Sequence, residues 1–284
     1  MKTNLVRFCA LDGLRLEGLL FEPEKKTNRL VIHVHGAAGN FYGNLFTDTF
    51  AAGLTDNGYA LLVFNNRGAE YEKETLNFAE MQYEVTGLLH EVFEDCTKDI
   101  SPAIDFAKKS GYTEIILQGH SLGCNKVIWY AIEKGFKGKI ILLAPCDLAR
   151  EKDGVTLKNI ETAKQLIKEN KGKEKLADFW GQFNITAQSL VSCWSKGANA
   201  DMFRYRDGVV VPALGNIKND VLIEIGANDA NYDQPERQDC IDYLKKSFKG
   251  AKISADIVKG ANHQFEGKEK ETLENILKFL LKNA

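Results

Sequence analysis

The chain has 284 residues, of which 44% are hydrophobic and 27% charged, a composition typical of a soluble globular protein. Its 37 basic and 39 acidic residues leave a net charge of −2, which argues against nucleic acid or an anionic membrane surface as a partner. No stretch approaches the roughly 18 apolar residues of a membrane span, and the N-terminus lacks the apolar segment of a secretory signal, so we expect a cytoplasmic location.

The first half of the chain alternates short apolar runs with amphipathic segments. A central Asp-Gly pair separates two alternating segments, 4–10 and 14–22, and this pattern predicts an antiparallel strand pair. Helical spacing extends over 88–109, with a disturbance expected at Pro102. The remaining predicted elements of this half are a strand at 30–35, a helix at 45–56 and a strand at 59–64.

The second half continues the alternation of buried strands and helices. An apolar run at 114–118 is followed, after five residues, by a helical segment at 124–132, and the last helix is expected at about 268–282. Further buried strands are predicted at 139–145, 220–226 and 253–258. Because buried strands that alternate with helices require a parallel sheet covered on both faces, we predict an α/β fold.

One interval, 148–218, breaks this alternation. It contains no clear core strand, but the segment 155–167 has roughly helical spacing, and several aromatic residues follow it. Since a structureless loop of this length is improbable in a compact domain, we predict a mostly helical insertion that folds over the edge of the sheet. The core domain then comprises 1–147 and 219–284.

The most informative motif is Gly-His-Ser-Leu-Gly at 119–123, between the strand and the helix just described. A strand, a sharp turn and a helix form the setting in which a nucleophilic serine is raised above a sheet. Glycines suit the positions two before and two after the serine, because strand and helix crowd there. We therefore predict Ser121 as a nucleophile rather than as an idle serine in a glycine-rich helix start.

A serine nucleophile needs a base, and the chain offers five histidines. His33 and His35 lie in or at the end of a strand. His90 is expected within a helix well before the motif, and His120 adjoins the serine and should point elsewhere. His263 follows the last strand, on a loop at the carboxyl ends of the strands, where ligands bind open α/β sheets. We predict His263 as the base.

A carboxylate must orient this base and stabilise its protonated form. Asp229 directly follows the strand at 220–226 and is the preferred candidate. Asp233 nearby and Asp147 at another strand end remain alternatives, whereas Glu224 lies inside a strand and is disfavoured.

Acyl transfer also needs hydrogen-bond donors where negative charge develops on the carbonyl oxygen. The backbone N–H of Leu122, directly after the serine, is one candidate. The second is expected from the glycine-bearing loop after the strand at 30–35, with Ala37 preferred and Ala38 as the alternative. The competing interpretation, a phosphate-binding loop, is disfavoured because the glycine spacing does not fit one.

Other side chains near the motif receive less specific roles. We expect Trp180 and Trp194 mainly to pack in the core of the insertion, and lining of the pocket is the less favoured alternative. Arg67 is expected in a structural salt bridge rather than at a substrate carboxylate. The predicted substrate-binding residues are Gly36, Ala38, His120, Trp180 and Trp194.

The six cysteines are scattered, and no two have the C-x-x-C spacing of a metal or redox pair. We expect reduced thiols that act as small buried hydrophobic side chains. Cys124 lies close to the motif but belongs to the following helix, and no histidine is evidently aimed at it.

Together these motifs resemble the α/β-hydrolase superfamily over nearly the whole chain. The matching residues, in chain order, are His35-Gly36, Arg67-Gly68, the motif at 119–123, Gly226 with Asp229, and His263. The resemblance implies a mostly parallel eight-stranded sheet with helices on both faces and a helical lid inserted after strand six. It implies Ser121, Asp229 and His263 as a catalytic triad, and Ala37 and Leu122 as the oxyanion amides.

A narrower resemblance concerns the insertion. Ile185-Thr186-Ala187 with Asp201-Met202-Phe203 resembles the lid of proteins related to fungal siderophore esterases. The stretch from Ala69 to Glu84 departs from the commoner hydrolase pattern, which alters the expected shape of the pocket.

These residues predict a carboxylic-ester hydrolase that forms an acyl-enzyme and acts on a small-molecule ester, with neither a metal nor an organic cofactor. A serine rather than an aspartate in the motif argues against dehalogenase and epoxide-hydrolase chemistry. A thioesterase, an amidase or peptidase with the same triad, and a carbon–carbon bond hydrolase remain alternatives. The alternative outside the enzymes is a ligand-binding protein in which the triad is present but inactive. The sequence specifies no oligomeric state.

Overall fold

The centre of the computed structural model is an eight-stranded sheet, and the structure describes residues 1–148, 154–179, 183–232 and 236–282. The strands in these ranges are β1 (Lys2–Cys9), β2 (Arg15–Glu22), β3 (Arg29–Val34), β4 (Ala60–Phe64), β5 (Lys73–Asn77), β6 (Gln82–Thr86), β7 (Glu114–His120), β8 (Ile140–Leu143), β9 (Lys175–Phe179), β10 (Phe183–Thr186), β11 (Asp220–Gly226) and β12 (Lys252–Val258). The α-helices are α1 (Thr47–Asp56), α2 (Cys96–Lys109), α3 (Leu122–Lys134), α4 (Gly154–Lys168), α5 (Ala187–Trp194), α6 (Arg237–Ser247) and α7 (Glu269–Leu281). None of these helices combines the length and the apolar character needed to cross a membrane.

The strand order in the large sheet is β1-β2-β4-β3-β7-β8-β11-β12. The pairs β1–β2 and β2–β4 are antiparallel, and the other neighbouring pairs are parallel. This is the mostly parallel eight-stranded sheet of the α/β-hydrolase fold, so the predicted fold class is confirmed. Two small antiparallel pairs, β5–β6 and β9–β10, lie outside the large sheet.

Alternate side chains of the central strands pack into two hydrophobic clusters, one on each face of the sheet. Leu30 and Ile32 of β3 share a cluster with residues of α2, α3 and α6. Val31, between them, packs instead with residues of α1 and α7. A strand buried on both faces must be apolar throughout, which explains the continuous apolar runs in the sequence.

The helical segment predicted at 88–109 begins later than expected. A 3-10 helix at Phe93–Asp95 leads into α2, and His90 lies in a turn instead of the predicted helix. The reason is that the amides of residues 87–89 donate hydrogen bonds to carbonyls of the segment 67–71, which holds them out of a helix.

Pro102 lies in the middle of α2 and does not interrupt it. A proline has no N–H to bond the carbonyl four residues earlier, which here is that of Lys98. This carbonyl accepts a hydrogen bond of 2.9 Å from the amide of Leu11 instead. The predicted disturbance is therefore wrong, because the turn after β1 supplies the missing donor.

The described residues between β8 and β11 form α4, the β9–β10 pair and α5. The insertion predicted as mostly helical thus also contains a two-stranded sheet. It follows β8, which is the sixth strand of the large sheet in chain order. The role of 148–218 as a lid, and the domain boundaries around it, stay predictions.

The cysteines are free thiols, and five of them are buried as expected. Cys9 is the exception and is exposed. It is the last residue of β1, which is an edge strand of the large sheet, so the prediction of burial is wrong at this position.

A carboxyl group is buried inside the sheet. Glu224 in β11 is fully buried, and its Oε2 accepts a hydrogen bond of 3.3 Å from Asn275 Nδ2 on α7. Burial raises the pKa of Glu224 from its ordinary value of 4.5 to about 8, and the charges of Asp256 and Glu271 add to this effect. The native protein therefore holds this proton more tightly than the unfolded chain, and the stability from this group is fully present below pH 4.5 and is lost as the pH rises through 8.

We expect this carboxyl group alone to lower the free energy of unfolding by roughly 3–4 kcal/mol between about pH 5 and pH 8. Glu224→Gln carries no such proton, so its free energy of unfolding should vary less with pH and should exceed that of the wild type at the alkaline end. Urea unfolding of both proteins across this range measures the difference. Parallel pH profiles would contradict the assignment.

Candidate active site

Ser121 occupies the sharp turn between β7 and α3. Its φ of 56° and ψ of −127° lie outside the regions that residues with a side chain ordinarily adopt. A Cβ at Gly119 would collide with the backbone of Gly123, and a Cβ at Gly123 would collide with the carbonyl of Val34. The glycines of the motif are therefore required by the close passage of strand, turn and helix.

Ser121 lines a cavity of about 280 Å³ at the carboxyl ends of the strands. The predicted site residues in its lining are Gly36, Ala37, His120, Ser121, Leu122, Trp194 and His263. Asp229 lies behind His263, and Ala38 packs against the hydrophobic cluster of the insertion. Trp180 lies outside the described residues.

Asp229 and His263 form a hydrogen-bonded pair in which Nδ1 of the histidine lies 2.7 Å from Oδ2 of the aspartate. The side chain of Asp229 is fully buried, whereas that of His263 is 22% exposed. The other carboxylate oxygen accepts a hydrogen bond of 2.9 Å from the amide of Asn231, which fixes the carboxylate. Because a carboxylate accepts hydrogen bonds, Nδ1 is the donor, and in the neutral imidazole Nε2 then carries the lone pair. This is the tautomer that a general base requires.

The alternative carboxylates occupy other environments. Asp147 lines the cavity, but its Oδ2 accepts a hydrogen bond from the amide of Arg206. Glu224 contacts α7 through Asn275. Asp233 lies outside the described residues. The contact with His263 therefore favours Asp229 over Asp147 and Glu224 as the orienting carboxylate.

His120 supports the loop that carries the histidine of this pair. Its Nε2 lies 2.8 Å from the backbone carbonyl of His263, and its ring packs against Phe46 and Phe265. Burial lowers the pKa of His120 well below its ordinary value, as does the neighbouring His263, so the ring is neutral and donates from Nε2. His120 thus lines the cavity and also holds the loop of His263, and its predicted part in substrate binding stays a prediction.

The loop after β3 approaches the serine closely. A Cβ at Gly36 would lie 2.8 Å from the Cβ of Ser121, so only glycine fits there. The amide of Gly39 donates to the carbonyl of Gly36 at 3.2 Å and closes a tight turn that contains Ala37. Leu122 is the first residue of α3, where a backbone N–H has no acceptor within the helix. The roles of Ala37 and Leu122 as oxyanion donors stay predictions.

A buried network lies beneath this loop. His35 Nε2 accepts from the amide of Asn66 at 3.1 Å, so its Nδ1 donates to the carbonyl of Gly36 at 2.9 Å. Burial and the charge of Lys126 lower the pKa of His35 well below its ordinary value, which keeps the ring neutral. Lys126 Nζ donates to Asn66 Oδ1 at 3.1 Å and lies 2.5 Å from Oε1 of Glu91. A fully buried ion pair therefore supports the turn that contacts the serine.

Side chains of the insertion and of the segment after β8 form an apolar wall of the cavity. Trp194 of α5 is 3% exposed and shares a hydrophobic cluster with Leu122. It lies in the hydrophobic cluster of the insertion and also lines the cavity, and its role in substrate binding stays a prediction. Cys146 also lines the cavity, and its Sγ lies 3.4 Å from Oγ of Ser121.

Two side chains singled out by their place in the sequence have structural roles. Cys124 Sγ is buried and donates to the carbonyls of Gly119 and Leu143, and burial raises the pKa of this thiol well above its ordinary value. It is therefore not a reactive thiolate. Arg67 Nη2 lies 2.8 Å from Asp99, which confirms the predicted salt bridge. Within the described ranges, no group of three or more His, Cys, Asp or Glu side chains is arranged to hold a metal ion.

Several polar side chains of the cavity were not identified from the sequence. Arg206 and Asn231 line it together with Asp147, which the sequence suggested only as an alternative acid. Arg206 lies in a segment of the insertion without periodicity, so no pattern pointed to it. Asn231 follows Asp229 by two residues, and this proximity is the one signal that could have revealed it. The other polar lining residues are Asn44, Tyr71, Tyr205 and Gln264.

Solved structures share this fold over almost the whole chain. Est1E from Butyrivibrio proteoclasticus, with ferulic acid bound, aligns with a TM-score of 0.65 at 19% identity and covers 98% of each chain. The α/β hydrolase GrgF from Penicillium sp. sh18 aligns with a TM-score of 0.65 at 16% identity over 99% of each chain. The esterase domain of a Rhodothermus marinus protein aligns with a TM-score of 0.61 at 16% identity over 99% of each chain. These similarities establish the α/β-hydrolase fold.

The sequence also matches a family model. The model, described as a protein of unknown function (DUF1749), matches residues 86–282, which is more than half of the chain. The chain belongs to this family. In this DUF1749 protein the matched region contains Ser121, Asp229 and His263, whereas the loop after β3 lies before it. No curated protein sequence matches the chain.

Proposed function

We propose that this protein is a serine hydrolase that cleaves a carboxylic ester through an acyl-enzyme intermediate. The observation that carries the proposal is the hydrogen-bonded Asp229–His263 pair at the cavity that Ser121 lines from a strained turn. Backbone strain of this kind persists where the surrounding structure enforces it, and it is common at catalytic sites. A serine that shares a cavity with a carboxylate-bound histidine fits the arrangement that activates a weak hydroxyl nucleophile.

In the proposed reaction, Ser121 Oγ attacks the ester carbonyl while Nε2 of His263 takes its proton. The amides of Ala37 and Leu122 donate to the oxyanion of the tetrahedral intermediate, and Asp229 stabilises the imidazolium. Collapse of the intermediate breaks the ester bond, and His263 protonates the departing alcohol. A water molecule, deprotonated by His263, then attacks the acyl-enzyme, and a second collapse releases the acid and restores Ser121.

The similar structures support an ester as the substrate class. Est1E carries ferulic acid in one of them, and another is described as an esterase domain. We propose that residues 148–218 act as the lid of this site, since Leu148, Trp194 and Arg206 supply part of the cavity lining. In this proposal the backbone of Gly36 and Ala38 contacts the bound substrate.

The size of the cavity leads to a prediction about chain length. About 280 Å³ accommodates a small acyl group, so we expect kcat/KM to be highest for p-nitrophenyl acetate and butyrate and to fall steeply by the octanoate and laurate. A panel of these esters measures the trend, with a matched thioester, an anilide and one siderophore ester added. Faster turnover of the thioester or the anilide would contradict the proposed ester preference, and a maximum at laurate would contradict the size argument.

A further inference from the structure

The cavity lining includes a cation that is held by neutral groups. Arg206 and Asp147 both line the cavity beside Ser121. Arg206 Nη1 donates to the backbone carbonyl of Asp147 at 2.6 Å, and Nη2 donates to the backbone carbonyl of Asn231 at 2.7 Å. Both acceptors belong to the core, since Asp147 precedes the insertion and Asn231 follows it in the chain. The two bonds therefore fix the guanidinium at the cavity, but the neutral carbonyls do not cancel its charge.

The charge of Arg206 is only weakly paired. A guanidinium has five N–H donors, and the backbone carbonyls use two of them. Nη1 of Arg206 lies 3.9 Å from the Asp147 carboxylate, which accepts instead from the backbone amide of Arg206 at 2.9 Å. The contrast is Arg67, which lies 2.8 Å from Asp99 and 3.0 Å from Asp12. Carboxylates therefore bond the guanidinium of Arg67, whereas the guanidinium of Arg206 has N–H groups that can still bond a ligand.

The carboxylate of Asp147 does not hydrogen-bond the guanidinium of Arg206, because 3.9 Å separates the two groups. Burial raises the pKa of Asp147 to about 6, whereas the backbone amide and the charge of Arg206 act in the opposite direction. Of the nearby acidic side chains, Asp229 is bonded to His263, and Asp201 and Asp207 pair with Arg204. The guanidinium of Arg206 therefore keeps N–H donors that none of these carboxylates occupies.

We propose that Arg206 binds a carboxylate on the substrate, so that the preferred esters are half-esters of dicarboxylic acids. This inference rests on the proposed hydrolase function. The planar guanidinium presents parallel N–H groups that match the two oxygens of a carboxylate. Because Arg206 and Ser121 share one cavity of about 280 Å³, a single small ligand spans both the free carboxylate and the scissile carbonyl.

The test uses three p-nitrophenyl esters of equal chain length: the hexanoate, which is neutral, the adipate half-ester, which is anionic, and the 6-aminohexanoate, which is cationic. The readout is the ratio of kcat/KM for the adipate half-ester to that for the hexanoate. In the wild type this ratio should exceed one, and in Arg206→Gln it should fall by about 10- to 100-fold, as expected for the loss of a charged hydrogen-bonding partner. Arg206→Lys should be intermediate, and Asp147→Asn should raise the ratio.

Arg204→Gln is the matched control. Arg204 belongs to the same segment but pairs with Asp201 and Asp207, so its loss should leave the ratio unchanged. If Arg206→Gln does not fold, the opposite shifts expected for Arg206→Lys and Asp147→Asn still decide the question.

Each outcome separates the inference from the function on which it rests. Equal ratios in Arg206→Gln and Arg204→Gln, with the hexanoate hydrolysed, would overturn the carboxylate site and leave the hydrolase intact. A preference for the 6-aminohexanoate that Asp147→Asn abolishes would also overturn it, and would assign the subsite to Asp147. Failure to hydrolyse any of the three esters, without fluorophosphonate labelling of Ser121, would refute the proposed function itself.

Discussion

Ser121→Ala is expected to lower kcat on p-nitrophenyl butyrate by about 10⁴-fold or more. The variant loses the proposed attacking oxygen but keeps the Cβ, so the strained turn and the fit against Gly36 are unchanged. Residual turnover should come from the remaining binding contacts and the proposed oxyanion donors, which act without a nucleophile. Steady-state kinetics with a thermal-unfolding measurement separates loss of chemistry from loss of fold.

Ser101→Ala is the matched control for this experiment. Ser101 lies on α2 and contacts the hydroxyl of Tyr130, so its loss should leave turnover near the wild-type level. Wild-type activity in Ser121→Ala would show that another group attacks the ester. A large loss in both variants would point to a change in folding.

Lys126→Met should destabilise the protein by about 3–5 kcal/mol, because it leaves the carboxylate of Glu91 buried without its partner. Burial raises the pKa of Glu91, whereas the charge of Lys126 lowers it. The variant should therefore lose less stability under mildly acidic conditions, where Glu91 takes up a proton. Urea unfolding at neutral and at mildly acidic pH measures both effects.

The double variant Lys126→Met/Glu91→Gln is the control, since removing both charges avoids the isolated buried carboxylate. It should recover much of the lost stability. Both variants lack the bond from Lys126 to Asn66, so kcat should remain reduced in the double variant if this network positions the turn at Gly36. A double variant as unstable as the single one would contradict the account of the pair.

The large sheet could be predicted because its strands are buried on both faces. Such strands are continuous apolar runs, and the core strands at 30–35 and 220–226 were found from this signal with few errors in their ends. The β5–β6 pair was missed because its burial runs against hydrophobicity: the apolar Tyr83 and Val85 are exposed, whereas the buried side chains are the polar Thr75, Asn77 and Thr86.

The placement of Ser121 and His263 at the carboxyl end of the sheet could be predicted because each residue follows a strand of recognisable pattern. The network beneath them could not. A lysine on a helix is ordinarily exposed, and only the packing of α3 against the segment around Glu91 buries Lys126. Arg206 was missed for a similar reason, since its partners are backbone carbonyls, which leave no trace in the sequence.

The proposed mechanism depends on Ser121 as an activated nucleophile. The most direct measurement is the reaction of the folded protein with a fluorophosphonate, followed by intact mass and peptide mapping. We expect a single phosphonate adduct on Ser121, no adduct in Ser121→Ala, and much slower labelling in His263→Ala. A folded wild-type protein that remains unlabelled, or an adduct at another residue, would contradict it.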